Sequence, residues 1–121
     1  MSSLTHSYYS GASDAQIIYE TIGTYFDKIA DMHSANPALV VRHQGVNWTY
    51  GELQARVNRL ATGLIHLGIK PGDRVGIWGP NSSEWVLVQL ATAKIGAIMV
   101  CINPAYRLYE LEYALNKVEC K

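Results

Sequence analysis

The chain has 121 residues, which is enough for a single domain or for one piece of a larger domain. Hydrophobic residues make up 49% and charged residues 17%, values typical of globular proteins that exclude disordered and collagen-like chains. The 10 basic residues balance the 10 acidic residues, so no net charge attracts the chain to nucleic acid or to an anionic membrane surface.

The two cysteines, Cys101 and Cys120, are too few for a disulfide framework and lack the spacing of a zinc site. We therefore expect free thiols in a reducing compartment. The most apolar stretch, residues 85–102, is interrupted by polar side chains, so we expect no membrane span. The first ten residues show no pattern of a secretory signal. These features predict a cytoplasmic protein with no nucleic-acid partner.

The N-terminal region is rich in Ser, Tyr and Gly and has no hydrophobic period. We assign residues 1–20 to an N-terminal arm and residues 21–121 to an α/β subdomain. The arm tyrosines (Tyr8, Tyr9 and Tyr19) could contact a partner or pack across the surface of the domain itself.

The first predicted helix covers residues 21–34, where apolar residues recur at three- and four-residue steps, and Asn36-Pro37 ends it. Residues 38–42 and 46–49 follow as two β-branched segments around a turn that contains Gly45, which predicts a β-hairpin.

The second predicted helix has the clearest signal, because Thr49 and Glu52 have the spacing of a capping box. Gly68 is placed to end this helix in the left-handed conformation. The residues predicted to form its apolar stripe are Leu53, Val57, Leu60, Ala61, Leu64 and Ile65.

The C-terminal half alternates strands and helices, which predicts a βαβ unit with a parallel sheet. A strand over residues 74–78 leads to a helix ending near Ile95, for which Asn81 and Glu84 are the predicted cap. The unbroken apolar run over residues 97–102 predicts a strand that is covered on both faces. A helix from Leu108 should turn Leu111, Leu115 and Val118 inward.

The fold class predicted by this order is α/β, with a small, largely parallel sheet, flanking helices and a β-hairpin. Its sheet edges would be open, and residues 118–121 read as the approach to another strand. Native sheets protect their edges, so we expect the chain to be a truncated piece of a larger domain.

Motifs for phosphate, metal or nucleophile chemistry are missing from the sequence, including the P-loop, GxGxxG, HExxH and GxSxG. Solvent-facing or singly bonded side chains are the expected state of all four histidines: His6, His33, His43 and His66.

Two loops after the predicted parallel strands contain weak candidates for ligand contact, because ligands of open α/β sheets gather there. Asn81 precedes a helix N-terminus, which favours anions, but it could equally be a helix cap. Asn103 follows the next strand. Arg107 could meet a carboxylate or a phosphate, or it could pair with Glu110 or Glu112 on the following turn.

Several segments of the chain occur in the order of known sequence motifs, within a resemblance that runs from about residue 21 to residue 121. They are Trp48–Leu53 (WTYGEL), Gly72–Val75 (GDRV), Trp78–Ser82 (WGPNS), Ala93–Ala97 (AKIGA), Asn103–Tyr106 (NPAY) and Glu110–Tyr113 (ELEY).

This arrangement resembles the N-terminal part of the adenylate-forming, AMP-binding enzymes, and most of all the medium-chain fatty-acid branch of the acyl-CoA synthetases. The resemblance implies a longer parent enzyme that uses ATP and Mg²⁺ to activate a fatty carboxylate as an acyl-adenylate and transfers it to coenzyme A. The family's phosphate loop, its ribose-binding Asp, its hinge and its C-terminal Lys have no counterpart in this chain. No catalytic, cofactor-binding or metal-binding residue of the family can therefore be assigned here, and we expect the chain alone to be inactive and to bind no cofactor.

Two other hypotheses compete with this one. The chain could be a non-enzymatic module that associates with itself through open strand edges, or a small nucleotide-binding domain, although the missing phosphate loop argues against the latter. If the chain is instead the N-terminal part of an acyl-CoA synthetase, its partners would be the rest of the parent enzyme and, through it, a fatty acid.

Overall fold

The fold consists of a β-hairpin and a parallel strand pair arranged around packed helices. A computed structural model of the chain describes Gly11 and residues 15–121. β1 and β2 pair antiparallel and β3 and β4 pair in parallel, so the predicted α/β class is confirmed. The elements are α1 (Ile22–Met32), β1 (Pro37–Val41), a 3₁₀ turn (Arg42–Gln44), β2 (Val46–Thr49), α2 (Tyr50–His66), β3 (Arg74–Trp78), α3 (Ser83–Ile95), β4 (Ile98–Ile102) and α4 (Leu108–Lys117).

The segment before α1 is exposed and has no helix or strand between Ala15 and Glu20. Tyr19 is 91% exposed, so the predicted packing of this tyrosine across the domain is wrong. Tyr8, Tyr9 and His6 lie outside the described residues.

Both ends of α2 have the structure that the sequence predicts. Thr49 Oγ1 accepts the Glu52 N–H at 3.3 Å, and the Glu52 carboxylate accepts the Thr49 N–H at 2.9 Å, which confirms the predicted capping box. At the other end Gly68 has φ +89°, and the Ile69 N–H donates to the Leu64 carbonyl at 3.1 Å. Since only glycine adopts this φ without steric cost, the helix stops there.

The core lies where α2 packs against α3. Leu53, Val57 and Ala61 of α2 are buried beside Ala91 of α3. Ile65 is 56% exposed, so its predicted place in the stripe is wrong. Each four-residue step rotates a helix position by about 40°, and three steps from Leu53 bring Ile65 round to the solvent side.

A polar cluster joins α1 to α2 and α3. The Lys94 ammonium lies 2.5 Å from the Asp27 carboxylate and also contacts Asn58, and its side chain is only 14% exposed. Gln54 of α2 donates to Asp27 at 2.9 Å. Burial tends to raise the pKa of Asp27, but the hydrogen bonds from Lys94 and Gln54 outweigh it and hold that pKa below its ordinary value. Each charge on this interface is therefore compensated.

Helices α1 and α3 approach each other closely at Gly23. A Cβ added to Gly23 would lie 2.9 Å from the Lys94 Cα. Because Gly23 has no side chain, the two helix backbones can approach closely enough for Lys94 and Asp27 to form their ion pair.

The start of α3 differs from the prediction. The helix begins at Ser83, and Asn81 is not its cap. Gln44, from the 3₁₀ turn, accepts the Ser83 N–H at 2.7 Å and donates to the Glu84 carboxylate at 2.9 Å. Because the capping side chain comes from 39 residues away, a search for local caps could not find it.

The β3–β4 pair is only partly covered. Leu111, Leu115 and Val118 are half-buried as predicted, but Ile98 is 51% exposed and Cys101 is exposed. The expectation that β4 is covered on both faces is therefore wrong for the described residues, because α3 and α4 shield only part of so narrow a sheet. Within the same residues, no helix has both the length and the apolar content needed to cross a bilayer.

Truncating Val57 should destabilise the chain more than truncating Ile65. Val57 is fully buried, so Val57→Ala removes packed methyl groups and should lower the free energy of unfolding by about 2 kcal/mol. Ile65→Ala is the control on the same helix and should cost less than about 1 kcal/mol. Urea denaturation measures both values, and equal losses would contradict the assignment of the core.

Removing Gln44 should uncap α3 without changing the core. Gln44→Ala should lower the free energy of unfolding by about 1 kcal/mol, the usual value of a lost N-cap. The pKa of Glu84, now about 2, should rise toward its ordinary value because its strongest donor is gone. Carbon-detected NMR titration follows this carboxyl. His43→Ala, in the same turn, is the control, and a shift of the Glu84 pKa as large in His43→Ala as in Gln44→Ala would refute the cap.

Candidate functional site

The loops that follow β3 and β4 lie at the same edge of the parallel pair. Trp78 is opposite Ile102 in the register, so residues 79–82 and 103–107 leave the sheet side by side. In open α/β sheets this carboxyl edge is where ligands bind. The three sequence candidates, Asn81, Asn103 and Arg107, all belong to these two loops.

The loop after β3 is held by contacts within the protein. The Trp85 indole N–H donates to the Gly79 carbonyl at 3.1 Å, and the Asn81 side chain is exposed without a hydrogen bond to another described residue. Hydrogen bonds from Gln44, from the Glu84 backbone N–H and from Ser82 lower the pKa of Glu84 to about 2. A carboxylate and the Gln44 amide thus occupy the N-terminus of α3, which disfavours an anion at this helix end.

The loop after β4 is a tight turn. The Asn103 side chain accepts the Ala105 N–H at 3.0 Å, and the Tyr106 N–H donates to the Asn103 carbonyl at 3.0 Å. Asn103 therefore has a structural role in closing the turn, whatever else it contacts.

Arg107 does not form the ion pair suggested by its spacing to Glu110 or Glu112. Within the described chain neither pair is present; instead the Glu110 carboxylate accepts the backbone N–H of Arg107 at 3.1 Å. Glu110 is the third residue of α4 and reaches back to the start of the helix, as in a capping box. The box is incomplete, because the Arg107 side chain carries only hydrogen-bond donors and cannot accept an N–H from the first turn of the helix.

A shallow groove of about 400 Å³ runs between β4 and α4. Asn103 and Tyr106 line one end, and Tyr113 and Lys117 line the α4 side, whereas Asn81 and Arg107 do not line it. The Tyr113 hydroxyl lies 3.0 Å from the Lys117 ammonium and raises the pKa of that lysine. The groove thus offers aromatic surface with the charged side chains of Lys117 and Glu110 in its lining.

The described residues bring together few side chains of the kinds that bind metals or act as catalysts. No three His, Cys, Asp or Glu side chains among them come together as a metal site. His33, His43 and His66 are exposed, and Cys101 and Cys120 are free thiols. Sequence reasoning missed the contacts of Gln44, but the four-residue spacing of Tyr113 and Lys117 could have indicated that pair.

Comparison with known proteins agrees with this architecture. The AMP-binding enzyme family matches residues 26–121. The medium-chain acyl-CoA ligase ACSF2, mitochondrial, of Rattus norvegicus is 45% identical over 95% of this chain, which covers 19% of that protein. The putative acyl-CoA synthetase YngI of Bacillus subtilis is 40% identical over 85% of this chain, again 19% of its own length. The chain therefore spans about a fifth of the curated relatives that it matches.

Solved structures show the same fold. A Mycobacterium tuberculosis fatty acyl CoA synthetase superposes with a TM-score of 0.80 and 34% identity over 84% of this chain and 20% of that chain. The Klebsiella oxytoca NpsA N-terminal subdomain superposes with a TM-score of 0.76 and 28% identity over 84% of this chain and 26% of that chain. The resemblance drawn from the sequence motifs is confirmed, and this chain belongs to the AMP-binding enzyme family.

Proposed function

We propose that the chain is the N-terminal scaffold of an ATP-dependent acyl-CoA ligase that activates a medium-chain fatty acid. The observation that carries this proposal is the 45% identity over 95% of the chain to a protein named as a medium-chain acyl-CoA ligase. Under this proposal, residues 21–121 form the N-terminal α/β subdomain and residues 1–20 an arm.

The proposed reaction has two steps. A carboxylate oxygen of the fatty acid attacks the α-phosphorus of ATP, and the bond to the β-phosphate oxygen breaks to release pyrophosphate with Mg²⁺. The thiol of coenzyme A then attacks the acyl carbon, loses its proton and displaces AMP, so the thioester forms as the mixed anhydride breaks.

The role of this chain in that reaction is structural under the proposal. Its described residues bring together no three potential metal ligands, and the N-terminus of α3 is filled by the chain's own Gln44 and Glu84. ATP, Mg²⁺ and coenzyme A would therefore bind only in a longer protein, to which this chain contributes the loop contacts described next, and this chain alone would bind none of them.

Asn81, Asn103 and Arg107 remain the proposed contacts from this chain to a ligand, because their loops meet at the carboxyl edge of the sheet. Arg107 is the strongest of the three, since its guanidinium forms no ion pair within the described chain and could bind a carboxylate or phosphate.

A cytoplasmic location is part of the proposal; the two free thiols support a reducing compartment, which includes both the cytosol and the mitochondrial matrix. Relatives such as the Rattus norvegicus protein are named mitochondrial. Cell fractionation distinguishes the two, and recovery in the mitochondrial fraction would contradict a cytoplasmic location.

A self-associating module is the second candidate, favoured by large apolar side chains that the described chain leaves exposed. Leu108 and Tyr109 of α4 are each more than 80% exposed, and Ile98 of β4 is half exposed. Light scattering at increasing concentration tests this alternative, which a constant monomer mass would exclude.

A chimera tests the proposed function most directly. Residues 26–121 should replace the matching segment of the Bacillus subtilis relative and support acyl-CoA formation within about tenfold of that relative, a barrier change of about 1.4 kcal/mol. The isolated 121-residue chain should form no acyl-CoA. Activity of the isolated chain, or a chimera that folds but is inactive, would contradict the scaffold assignment.

Within an active chimera, Arg107→Ala should lower kcat/KM about tenfold, the value of one charge-assisted hydrogen bond. Arg59→Ala is the control, because Arg59 is an exposed residue of α2 far in sequence from the two loops. Steady-state kinetics with fatty acid and with ATP as varied substrates gives both values. Equal kcat/KM for the two variants would show that Arg107 is a surface residue.

A further inference from the structure

The tip of the β-hairpin contacts the start of α3 through one side chain. Gln44 lies in the 3₁₀ turn between β1 and β2, and its side-chain carbonyl accepts the Ser83 N–H at 2.7 Å. Its side-chain NH₂ group donates to the Glu84 carboxylate at 2.9 Å. Because glutamine carries an acceptor and a donor on one amide group, a single side chain holds two consecutive residues of α3.

A local cap is available at this helix end but is not used. Ser82 occupies the N-cap position, where serine is a preferred residue, yet its side chain accepts no N–H group of the helix. The Ser82 side chain forms a hydrogen bond with the Glu84 carboxylate instead. The Ser83 N–H is satisfied by Gln44, from 39 residues away. The contact therefore joins the hairpin to the residues that follow β3, which a local cap would not do.

The loop between β3 and α3 is short and is held at both ends. Trp78 fixes the first end, because it pairs with β4 in the parallel sheet. Ser83 fixes the second end, since it is 2% exposed and is bound to the hairpin. Inside the loop, the Trp85 indole N–H donates to the Gly79 carbonyl at 3.1 Å. Asn81 lies in the short stretch between these contacts, and each contact reduces its conformational freedom.

Asn81 carries the exposed amide of this loop, at the carboxyl edge of the sheet where ligands of open α/β folds bind. A side chain on a loop that is already fixed loses less conformational freedom when a ligand binds, so the complex is more stable. The contacts that hold the loop therefore affect how tightly Asn81 can bind a ligand.

We propose that Gln44 is a positioning residue, which holds Ser83 and Glu84 and thereby fixes Asn81 where that side chain contacts a ligand. The effect of Gln44 on the loop is a property of the fold alone. Its effect on catalysis rests on the proposed function, which includes a ligand contact at Asn81. Gln44 itself touches no substrate, so its loss should weaken substrate binding and leave the chemical step unchanged.

Variants of the 121-residue chain test the effect on the loop. In Gln44→Glu, a carboxylate oxygen replaces the group that donates to Glu84, so like charges face each other and the contact should open. Adding Glu84→Gln supplies an amide donor for the new carboxylate and should restore the contact. In NMR relaxation, the order parameter of the Asn81 N–H should fall from about 0.85 to below about 0.6 in the single variant and recover in the double variant. No fall, or a fall without recovery, would overturn the proposal.

Thr49→Ala is the matched control for lost stability. It removes the cap of a different helix, α2, at a similar cost in helix stability. The order parameter of the Asn81 N–H should be unchanged in this variant. A fall as large in Thr49→Ala as in Gln44→Glu would show that the loop responds to stability in general, and the proposal would be wrong.

Kinetics of the active chimera test the effect on binding. Asn81→Ala should raise KM for one substrate, and Gln44→Glu should raise KM for that same substrate about fivefold, the value of one hydrogen bond, at unchanged kcat. Adding Glu84→Gln to Gln44→Glu should bring KM back. In the Asn81→Ala background, Gln44→Glu should have no further effect, because both changes remove the same contact.

An unchanged KM in Gln44→Glu, or an equal rise in KM with and without Asn81, would overturn the positioning role. An inactive chimera would instead refute the proposed function. In that case the relaxation data on the isolated chain still decide whether Gln44 fixes the loop, because they need no activity.

Discussion

Burial of α3 is the constraint on which the rest of the structure depends. This helix is apolar on nearly every side, so it is stable in water only if other elements surround it. α1 and α2 cover one side, and β3 and β4 lie against another. The fully buried Val57 and Ala91 mark the centre of this packing. Leu39 and Trp48 of the hairpin pack against that centre.

Two polar contacts fix how these layers meet, and both cross long distances in sequence. Lys94 joins α1 to α3 through Asp27, and Gln44 joins the hairpin turn to the start of α3 through Ser83. Hydrogen bonds to a buried charge or to a helix end add directional constraints to the apolar packing. The second contact reaches the residues directly after the β3 loop, so the hairpin is joined to one side of the candidate site.

The sequence predicted local features well and long-range ones poorly. The capping box of Thr49 and Glu52, the left-handed Gly68 and the alternation of strands and helices each depend on neighbours along the chain, and all are confirmed. The cap of α3 came from Gln44, which no local rule connects to Ser83. Asn81, Asn103 and Arg107 follow β3 and β4 as the predicted strands required, and their role in ligand contact stays a prediction. Spacing alone could not show that Glu110 would bind the Arg107 backbone rather than its side chain.

Under the proposed function, this chain supplies architecture and nucleotide binding resides elsewhere in a longer acyl-CoA ligase. Isothermal titration of the 121-residue chain with ATP and Mg²⁺, beside the full-length Bacillus subtilis relative, tests that claim most directly. We expect no heat of binding to the chain and saturable binding to the relative. Saturable binding to the chain with a Kd below about 1 mM, a free energy of about −4 kcal/mol, would contradict it.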